Sequence, residues 1–262
     1  MKKLTITVLV LIGLGHSEAN AWGLTGHRVV AEIAEQHLTR KTKRKLNKII
    51  GTQKLAYWAN WSDFIKSEPT YKFADSYHYV NIEGNLPEKE FLVALENTSQ
   101  DQLYHKALFF INELKSNRNL KLEQKKEYLY FLIHMIGDAH QPLHVGREED
   151  LGGNKIKVEW FRESTNIHTI WDTKLIDFDK YSYTEYTTLL NIQPKKVNVQ
   201  LTEGWLENWL FDSYQVANKI YSTVKMDDKL SYRYHYDNKY IVEQQLLKGG
   251  LRLAKVLNFI YH

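Results

Sequence analysis

The stretch that most constrains the fold runs from Tyr128 to Gly146 and reads YLYFLIHMIGDAHQPLHVG. Apolar side chains recur in its first half with a period near 3.6, which predicts a buried α-helix. His134 and Asp138 are four residues apart, so they project from the same face of that helix. A core helix therefore presents an imidazole and a carboxylate side by side.

A second feature of this stretch is the break at Pro142, which restrains Gln141 and predicts the end of the helix. His144 follows the break, where the chain can turn its imidazole back toward His134. Imidazole and carboxylate are the groups that bind Zn²⁺ in cysteine-free sites. Taken alone, the same residues are also compatible with a core helix that carries incidental polar side chains.

Further potential ligands lie on other segments and favour the metal interpretation. His168 and Asp172 repeat the His-x-x-x-Asp spacing on a second predicted helix. If Trp22 becomes the amino terminus, its amine is an additional nitrogen ligand. The candidate metal ligands are Trp22, His27, Asp63, His78, His134, Asp138, His144, His168 and Asp172. Nine nitrogen and oxygen groups without sulfur are enough for two or three divalent ions, and zinc is the default expectation.

The amino terminus has the pattern of an export signal. Lys2 and Lys3 precede an apolar run from Leu4 to Leu14, and a small-x-small motif ends at Ala21. This pattern predicts cleavage between Ala21 and Trp22. A membrane anchor is the alternative, but the apolar run is short for a bilayer. We expect a signal peptide at 1–21, a mature domain at 22–262, and a periplasmic or secreted protein.

Composition limits the kinds of functional site that the chain can form. The chain has 262 residues, of which 43% are hydrophobic and 13% aromatic, enough for a substantial core. It has no cysteine, which excludes disulfides, thiolate zinc sites and thiol catalysis. Its formal net charge of +4 permits a polyanionic substrate without demonstrating one.

Periodicity along the chain predicts one mainly α-helical domain with a short β-hairpin. Thr25 is the predicted cap of the first helix, and the basic segment Arg40–Lys48 is a predicted solvated helix face. We expect extended structure at Ser76–Ile82, a strand at Lys155–Phe161, and a polar surface excursion at 180–200. The remaining predicted helices are 56–65, 87–115, 167–175, 205–224 and 241–261.

Six short motifs give the chain a specific family resemblance. In order they are WGLTGH at 22–27, WANWSD at 58–63, HMIGDAHQPLHVG at 134–146, GGN at 152–154, HTIWD at 168–172 and GLRLA at 250–254. Together they resemble the trinuclear-zinc single-strand-specific nucleases of moulds, plants and bacteria, which are distantly related to zinc phospholipase C. The match extends over the whole of 22–262, in the same order, and implies a zinc-dependent nuclease domain with these bounds.

The resemblance implies a ligand assignment for three zinc ions. The first would be held by Asp63, His78, His134 and Asp138. The second would be held by the amine and carbonyl of Trp22, by His27 and by a shared Asp138. The third would be held by His144, His168 and Asp172. Two features depart from the family: there are no disulfides, and Lys66 stands where many members have an arginine that contacts phosphate.

The resemblance also implies an activity, the endonucleolytic hydrolysis of single-stranded DNA and RNA to 5′-phosphate products, with 3′-nucleotides as further candidate substrates. Asp63 would orient the attacking water, and Lys66 and Asn154 are candidate phosphate contacts. Tyr77, Tyr79 and Trp171 are candidates for stacking on a base, with core packing as the alternative role of each. A monomer without stable membrane association is expected.

Two other functions remain open from the sequence. A zinc phospholipase C would carry a similar trinuclear site, although the positions of His27 and Asp172 fit the nuclease pattern better. A structural zinc protein would have a closed site, whereas a catalytic zinc keeps an open position. Histidines outside the ligand pattern are His37, His105, His140, His235 and His262, of which His140 could support a ligand from behind.

Overall fold

The structure is a computed structural model that describes residues 22–262. The predicted signal peptide at 1–21 lies outside the described residues. Helices dominate the described chain, as predicted. The α-helices are α1 Leu24–Gln36, α2 Arg40–Ile50, α3 Leu55–Trp58, α4 Trp61–Phe64, α5 Glu88–Glu96, α6 Leu103–Ser116, α7 Leu122–Asp138, α8 Ile167–Thr169, α9 Leu175–Asp177, α10 Tyr183–Leu190, α11 Lys195–Leu201, α12 Leu206–Thr223 and α13 Tyr232–Ile260.

Shorter helical turns connect these elements at the places where candidate ligands lie. The 3₁₀ segments are Ile65–Ser67, Pro69–His78 and Pro142–Val145. A π-helical turn, Ile170–Lys174, joins α8 to α9, so that 167–177 forms one continuous helical segment. π-turns interrupt regular helices mostly at functional positions, and this one carries Asp172.

Helix α7 lies at the centre of the core, where α1, α6 and α13 pack against it. From Leu129 to Asp138 every residue of α7 is buried, which explains the nearly continuous apolar sequence of this helix. The α-helix ends at Asp138, before Gln141, where the proline predicted its end. Thr25 does not cap α1: Gly23 holds the cap position, and Thr25 lies within the first turn.

The β-structure is a small sheet on the surface. β1 (Lys157–Trp160) pairs antiparallel with β2 (Glu163–Asn166), which confirms the short hairpin. β3 (Lys229–Leu230) adds to the other edge of β1 in parallel, a pairing that the sequence did not predict. The hairpin leads directly into α8, and it thereby positions the second pair of candidate ligands.

Several segments differ from the sequence prediction. The predicted helices at 56–65 and 87–115 are each divided into two, α3 with α4 and α5 with α6, and the last helix begins at Tyr232 instead of Ile241. His78 does not lie in a strand: it ends the 3₁₀ segment, and only the residues after it are extended, with Val80 and Ile82 donating to the carbonyls of His144 and Gly146. The polar region at 180–200 contains helices α10 and α11 instead of an irregular excursion, and α10 packs on α1. Within residues 22–262, no helix has the length and apolar character needed to span a bilayer.

Candidate metal centre

The predicted ligands converge on one buried region at the carboxyl-terminal end of α7. They come from six separate elements, so the side chains approach that point from several directions. The contributing residues are His27 of α1, Asp63 of α4, His78 of the first long 3₁₀ segment, His134 and Asp138 of α7, His144 of the following 3₁₀ turn, and His168 and Asp172 of 167–177.

Main-chain carbonyl groups fix the orientation of three imidazoles. Their Nδ1 atoms donate to carbonyl oxygens: His134 to Ala59 at 2.7 Å, His144 to His78 at 2.5 Å, and His168 to Gly152 at 2.6 Å. A carbonyl oxygen can only accept, so each Nδ1 carries the proton. Each Nε2 is therefore left with a lone pair that points into the centre, as metal-binding histidines require.

The first group of donors consists of His78, His134 and Asp138. His78 Nδ1 lies 3.0 Å from His134 Nε2 and 3.1 Å from Asp138 Oδ2. His134 Nε2 lies 3.3 Å from the same Asp138 oxygen. Two nitrogens and one oxygen thus face a common point, which is the arrangement that a metal ion needs.

A second group joins His27 and Asp63 to His134. His27 Nε2 lies 3.3 Å from Asp138 Oδ1, while Asp138 Oδ2 faces the first group. The two oxygens of Asp138 therefore face different groups, a geometry that suits a bridging carboxylate. Asp63 Oδ1 lies 3.7 Å from His134 Nε2 and 3.9 Å from His78 Nδ1, between the two groups.

The third group consists of His144, His168 and Asp172. His168 Nε2 lies 3.1 Å from Asp172 Oδ2, and His144 Nε2 lies 3.7 Å from Asp172 Oδ1. The side-chain amide of Gln141 donates to Asp172 Oδ1 and orients that carboxylate. Sequence reasoning gave Gln141 no role; its position inside the central motif, three residues before His144, was the available signal.

The beginning of the described chain is part of this centre. The side chain of Trp22 is fully buried, and its Nε1 donates to the Gly137 carbonyl at 2.8 Å. The Gly23 amide donates to the Asp172 carbonyl at 2.6 Å. These two bonds hold the main chain of Trp22 between α7 and the helical segment that carries the third group.

Close approach of α1 and α7 depends on a glycine. A Cβ atom at Gly137 would lie 2.7 Å from Nδ1 of His27, closer than any side chain tolerates. The glycine therefore allows the His27 imidazole to lie against the backbone of α7. The His27 ring also stacks on His134, with ring centroids 3.7 Å apart.

Several donor atoms in the centre have no hydrogen-bond partner although they are buried, a costly condition unless another ligand satisfies them. These are both ring nitrogens of His27, Asp63 Oδ2, Asp138 Oδ1, His144 Nε2 and His168 Nε2. Burial also lowers the pKa of the imidazoles of His27, His78, His134 and His144, which keeps their nitrogens deprotonated as metal binding requires. The donor set thus fits metal ions, and the residues form three groups that can each hold one.

Burial has the opposite effect on the central carboxylate. It raises the pKa of Asp138, and the neighbouring charge of Asp63 adds to that shift. A buried carboxylate is costly to ionise without a positive partner, and bound cations reverse this preference. The acidic half of the donor set therefore fits a cationic ligand as well.

The centre opens into a cleft of about 500 Å³. Of the predicted substrate contacts, Lys66, Asn154 and Tyr79 all line it. Lys66 Nζ lies 2.8 Å from Asp63 Oδ1, so this cation reaches the edge of the donor set. Asn81 and Lys157, which the sequence did not single out, also line the cleft.

Other sequence candidates lie away from the cleft. The rings of Tyr77 and Trp171 are buried, and the Trp171 indole donates to Tyr234, so both serve core packing and not base stacking. His140 is fully buried between the Ile136 carbonyl at 2.7 Å and Arg252 Nη1 at 3.1 Å. It supports the end of α7 without touching the donor groups directly.

The fold and the centre together define a mainly α-helical protein in which three buried groups of His and Asp residues that could bind metal ions lie at the base of a cleft. A family model for S1/P1 nucleases matches residues 22–262, and the chain belongs to this family. Endonuclease 5 of Arabidopsis thaliana is 30% identical, and the alignment covers all of this chain and 97% of that protein. Nuclease S1 of Aspergillus oryzae is 27% identical over 91% of each chain, and nuclease P1 of Penicillium citrinum is 28% identical over 92% of this chain and 98% of its own. The protein is accordingly a nuclease, a hydrolase of phosphodiester bonds.

Proposed function

We propose that the protein is an exported, zinc-dependent endonuclease that hydrolyses single-stranded DNA and RNA to 5′-phosphate products and also accepts 3′-nucleotides. The observation that carries this proposal is the set of unpartnered donor atoms at the base of a cleft that Lys66 lines. The ligand set of Trp22, His27, Asp63, His78, His134, Asp138, His144, His168 and Asp172 would hold three zinc ions. Imidazole with carboxylate and no sulfur suits zinc, although geometry alone also admits other divalent ions.

Bound divalent ions supply Lewis-acid chemistry, acidifying water and neutralising charge on the phosphoryl oxygens. Asp63 would accept a hydrogen bond from the attacking water, since its Oδ2 is buried without a partner while Oδ1 faces Lys66. Attack would be in line with the departing 3′ oxygen. The phosphate on the product would then remain attached to the 5′ oxygen.

Lys66 and Asn154 are the proposed phosphate contacts. Lys66 would exchange its ion pair with Asp63 for the incoming phosphate and then stabilise charge that develops during attack. The Asn154 amide donates to the Leu151 carbonyl at 2.9 Å with one hydrogen, which leaves the second for a phosphoryl oxygen. Because lysine lacks the guanidinium fork, phosphate would be held with less defined orientation than by arginine.

Preference for single strands would come from an aromatic ring at the cleft. Tyr79 is 36% exposed and lines the cleft, so its ring is available to an unpaired base. A base within a duplex is already stacked on both sides and cannot use such a platform without unpairing. Export would follow from the sequence pattern at 1–21, and a monomer from a site built within one chain.

Parallel assays test this proposal. Protein that begins at Trp22 is incubated with single-stranded DNA, RNA, 3′-nucleotide, duplex DNA and phosphatidylcholine, before and after chelation and with Zn²⁺ restored. We expect cleavage of the first three, loss with chelation, and recovery with zinc. Full activity in metal-free protein, or hydrolysis of phosphatidylcholine alone, would refute the proposal. Secretion of the protein fused to a reporter, with and without residues 1–21, tests export separately.

A further inference from the structure

Helix α2 carries a concentration of positive charge that the catalytic cleft does not use. Six of its eleven residues are basic and none is acidic. The basic residues are Arg40, Lys41, Lys43, Arg44, Lys45 and Lys48, and all are exposed. Its apolar residues and Thr42 face the core, so the charge is confined to the outer side of the helix.

Four of these residues form one continuous row. Lys41, Arg44, Lys45 and Lys48 have the spacing i, i+3, i+4, i+7, which places them on a single face of a helix; we call this row the basic stripe. The lysine and arginine ion pairs of residues 22–262 involve other side chains. No side-chain carboxylate of the described chain therefore forms an ion pair with the stripe.

An aromatic ring adjoins the stripe. Lys45 lines a surface groove of about 650 Å³ together with Lys115 and Phe259. Phe259 is 43% exposed, and the Lys115 ammonium lies 3.0 Å from its ring centroid. A groove that combines cations with an exposed aromatic side chain has the features that bind single-stranded nucleic acid without sequence preference.

The groove lies away from the metal centre. His27 is at the centre, and Gln36 ends the same helix nine residues later, about 14 Å along the axis. Asn258 holds the turn between α1 and α2: its side chain accepts a hydrogen bond from the Thr39 amide at 2.9 Å and donates one to the His37 carbonyl at 3.1 Å. These bonds attach the start of α2 to the end of α13, beside Phe259.

We propose that the basic stripe, with Lys115 and Phe259, is a second binding site for single-stranded nucleic acid. It would hold a part of a long substrate away from the bond being cleaved, so that the strand stays bound between cleavages. The inference rests on the proposed function for the choice of nucleic acid as the polyanion. An anionic lipid surface is the competing partner, and the exposed Phe259 with its adjoining groove favours a strand with free bases.

Kinetics on a long and a short substrate test the proposal. The stripe variant carries Lys41→Gln, Arg44→Gln and Lys48→Gln; Lys45 is kept because it bonds to the main-chain oxygen of His262. Glutamine has a helix propensity close to that of lysine and arginine, so α2 should persist. The control carries Lys89→Gln, Lys219→Gln and Lys225→Gln, three exposed lysines outside α2 and outside the cleft.

For a thirty-nucleotide oligothymidylate we expect KM to rise about tenfold in the stripe variant at low salt, with kcat unchanged. Each phosphate contact contributes about 0.7 to the slope of log affinity against log salt for single strands, so the slope should weaken by about 2. A thymidine dinucleotide is too short to reach the stripe, and its cleavage should not change. The control variant should match the wild type on both substrates.

Substitution of Phe259 tests the aromatic part of the proposed site independently of the basic stripe. Phe259→Leu keeps an apolar side chain but removes the stacking surface, and it should raise KM for the long substrate about fivefold or more, whereas Phe259→Tyr should not. Equal KM values and equal salt slopes in wild type and stripe variant would overturn the proposal. A second outcome would also overturn it: the stripe variant no longer binds vesicles of phosphatidylglycerol and phosphatidylcholine, but its KM for the oligonucleotide is unchanged. That result would assign the surface to lipid.

Failure of the proposed function is distinguishable from failure of this inference. If the wild type cleaves neither substrate, the nuclease proposal fails. The oligothymidylate then stays intact in the presence of the protein, and its Kd can be measured directly by fluorescence anisotropy. Tighter binding by the wild type than by the stripe variant would support the second site, and equal binding would refute it.

Discussion

At the scale of single residues, Asp138 makes the contacts that join two of the donor groups. Its two oxygens face His27 on one side and His78 with His134 on the other. We expect Asp138→Asn to lose at least one bound metal ion and most activity, because an amide is a much weaker bridging ligand. Metal analysis of purified protein measures this, and Asp227→Asn on the surface is the matched control. If Asp138→Asn had the same metal content as the wild type, the bridging role of Asp138 would be contradicted.

Lys66 is expected to act on substrate and not on metal. Lys66→Ala should keep its bound metal and lower kcat about 100-fold, by analogy with the loss of one charge-stabilising donor in other active sites. Lys66→Arg should retain activity, since it keeps the charge and adds a bidentate donor. Steady-state kinetics and metal analysis are measured together, with Lys89→Ala as the surface control. Loss of metal in Lys66→Ala would contradict the assignment.

At the scale of elements, the crossing of α1 and α7 depends on Gly137. A methyl group there would meet Nδ1 of His27 at 2.7 Å. Gly137→Ala should destabilise the fold by about 1–3 kcal/mol through overpacking, partly offset by about 1 kcal/mol of helix propensity. It should also lower metal affinity by displacing His27.

Denaturant unfolding and metal titration measure the two effects of Gly137→Ala. Gly249→Ala on α13 is a graded control, because its new methyl group would lie 3.2 Å from Val30 and 3.4 Å from His140, milder contacts that involve no side chain of the donor set. Equal metal affinity in both variants would show that the crossing is not what positions His27.

Elements with a strong apolar period could be predicted from the sequence. The central helix and α13 were evident because Leu246, Leu247, Leu251 and their apolar neighbours recur along one face. Helices α10 and α11 were missed because their sequences are rich in tyrosine, threonine and lysine, so that packing of α10 on α1 and of α11 on α13 decides their structure more than propensity does. The alternation around His78 was also misleading: it predicted extended structure at Ser76–Ile82, whereas His78 ends a 3₁₀ segment.

The residues that converge at the candidate site could be predicted from the sequence, whereas the groups that orient them could not. His134 with Asp138 and His168 with Asp172 are visible as spacings. The carbonyls of Ala59, His78 and Gly152 are not, because every residue has a carbonyl and only the fold decides which one faces an imidazole. The role of Gln141 likewise depends on where Asp172 lies in space.

At the scale of the whole molecule, the metal centre joins distant parts of a chain without disulfides. His27, Asp138 and Asp172 come from segments more than 30 residues apart and meet in one cluster. Ligand at a thousand times its Kd stabilises a fold by about 4 kcal/mol, which for a domain of this size is on the order of 10 °C in Tm. We expect chelation to lower Tm by at least that much, measured by calorimetry. A Tm that chelation leaves unchanged would separate folding from metal binding.

The amino terminus offers a second test at this scale. Trp22 is buried, and Gly23 bonds to the main chain of Asp172, which leaves little room for residues placed before it. Protein that begins with an added Gly before Trp22 should bind fewer ions and turn over substrate at least tenfold more slowly, since an amide nitrogen has no lone pair for metal. A Gly added after His262 is the control. Equal metal content and rates in all three forms would exclude the amine as a ligand.

The hydrogen bond from the Gly23 amide to the Asp172 carbonyl cannot form until both residues have been translated. Translation proceeds at roughly 5–20 residues per second. About 150 residues separate these two positions, so roughly 8–30 seconds pass after Gly23 is made before Asp172 exists. Throughout that interval the growing chain has no complete third donor group and no acceptor for the Gly23 amide. A nuclease assembled in this order lacks a complete third donor group until Asp172 has been made, so we expect a chain cut short before that residue to be inactive.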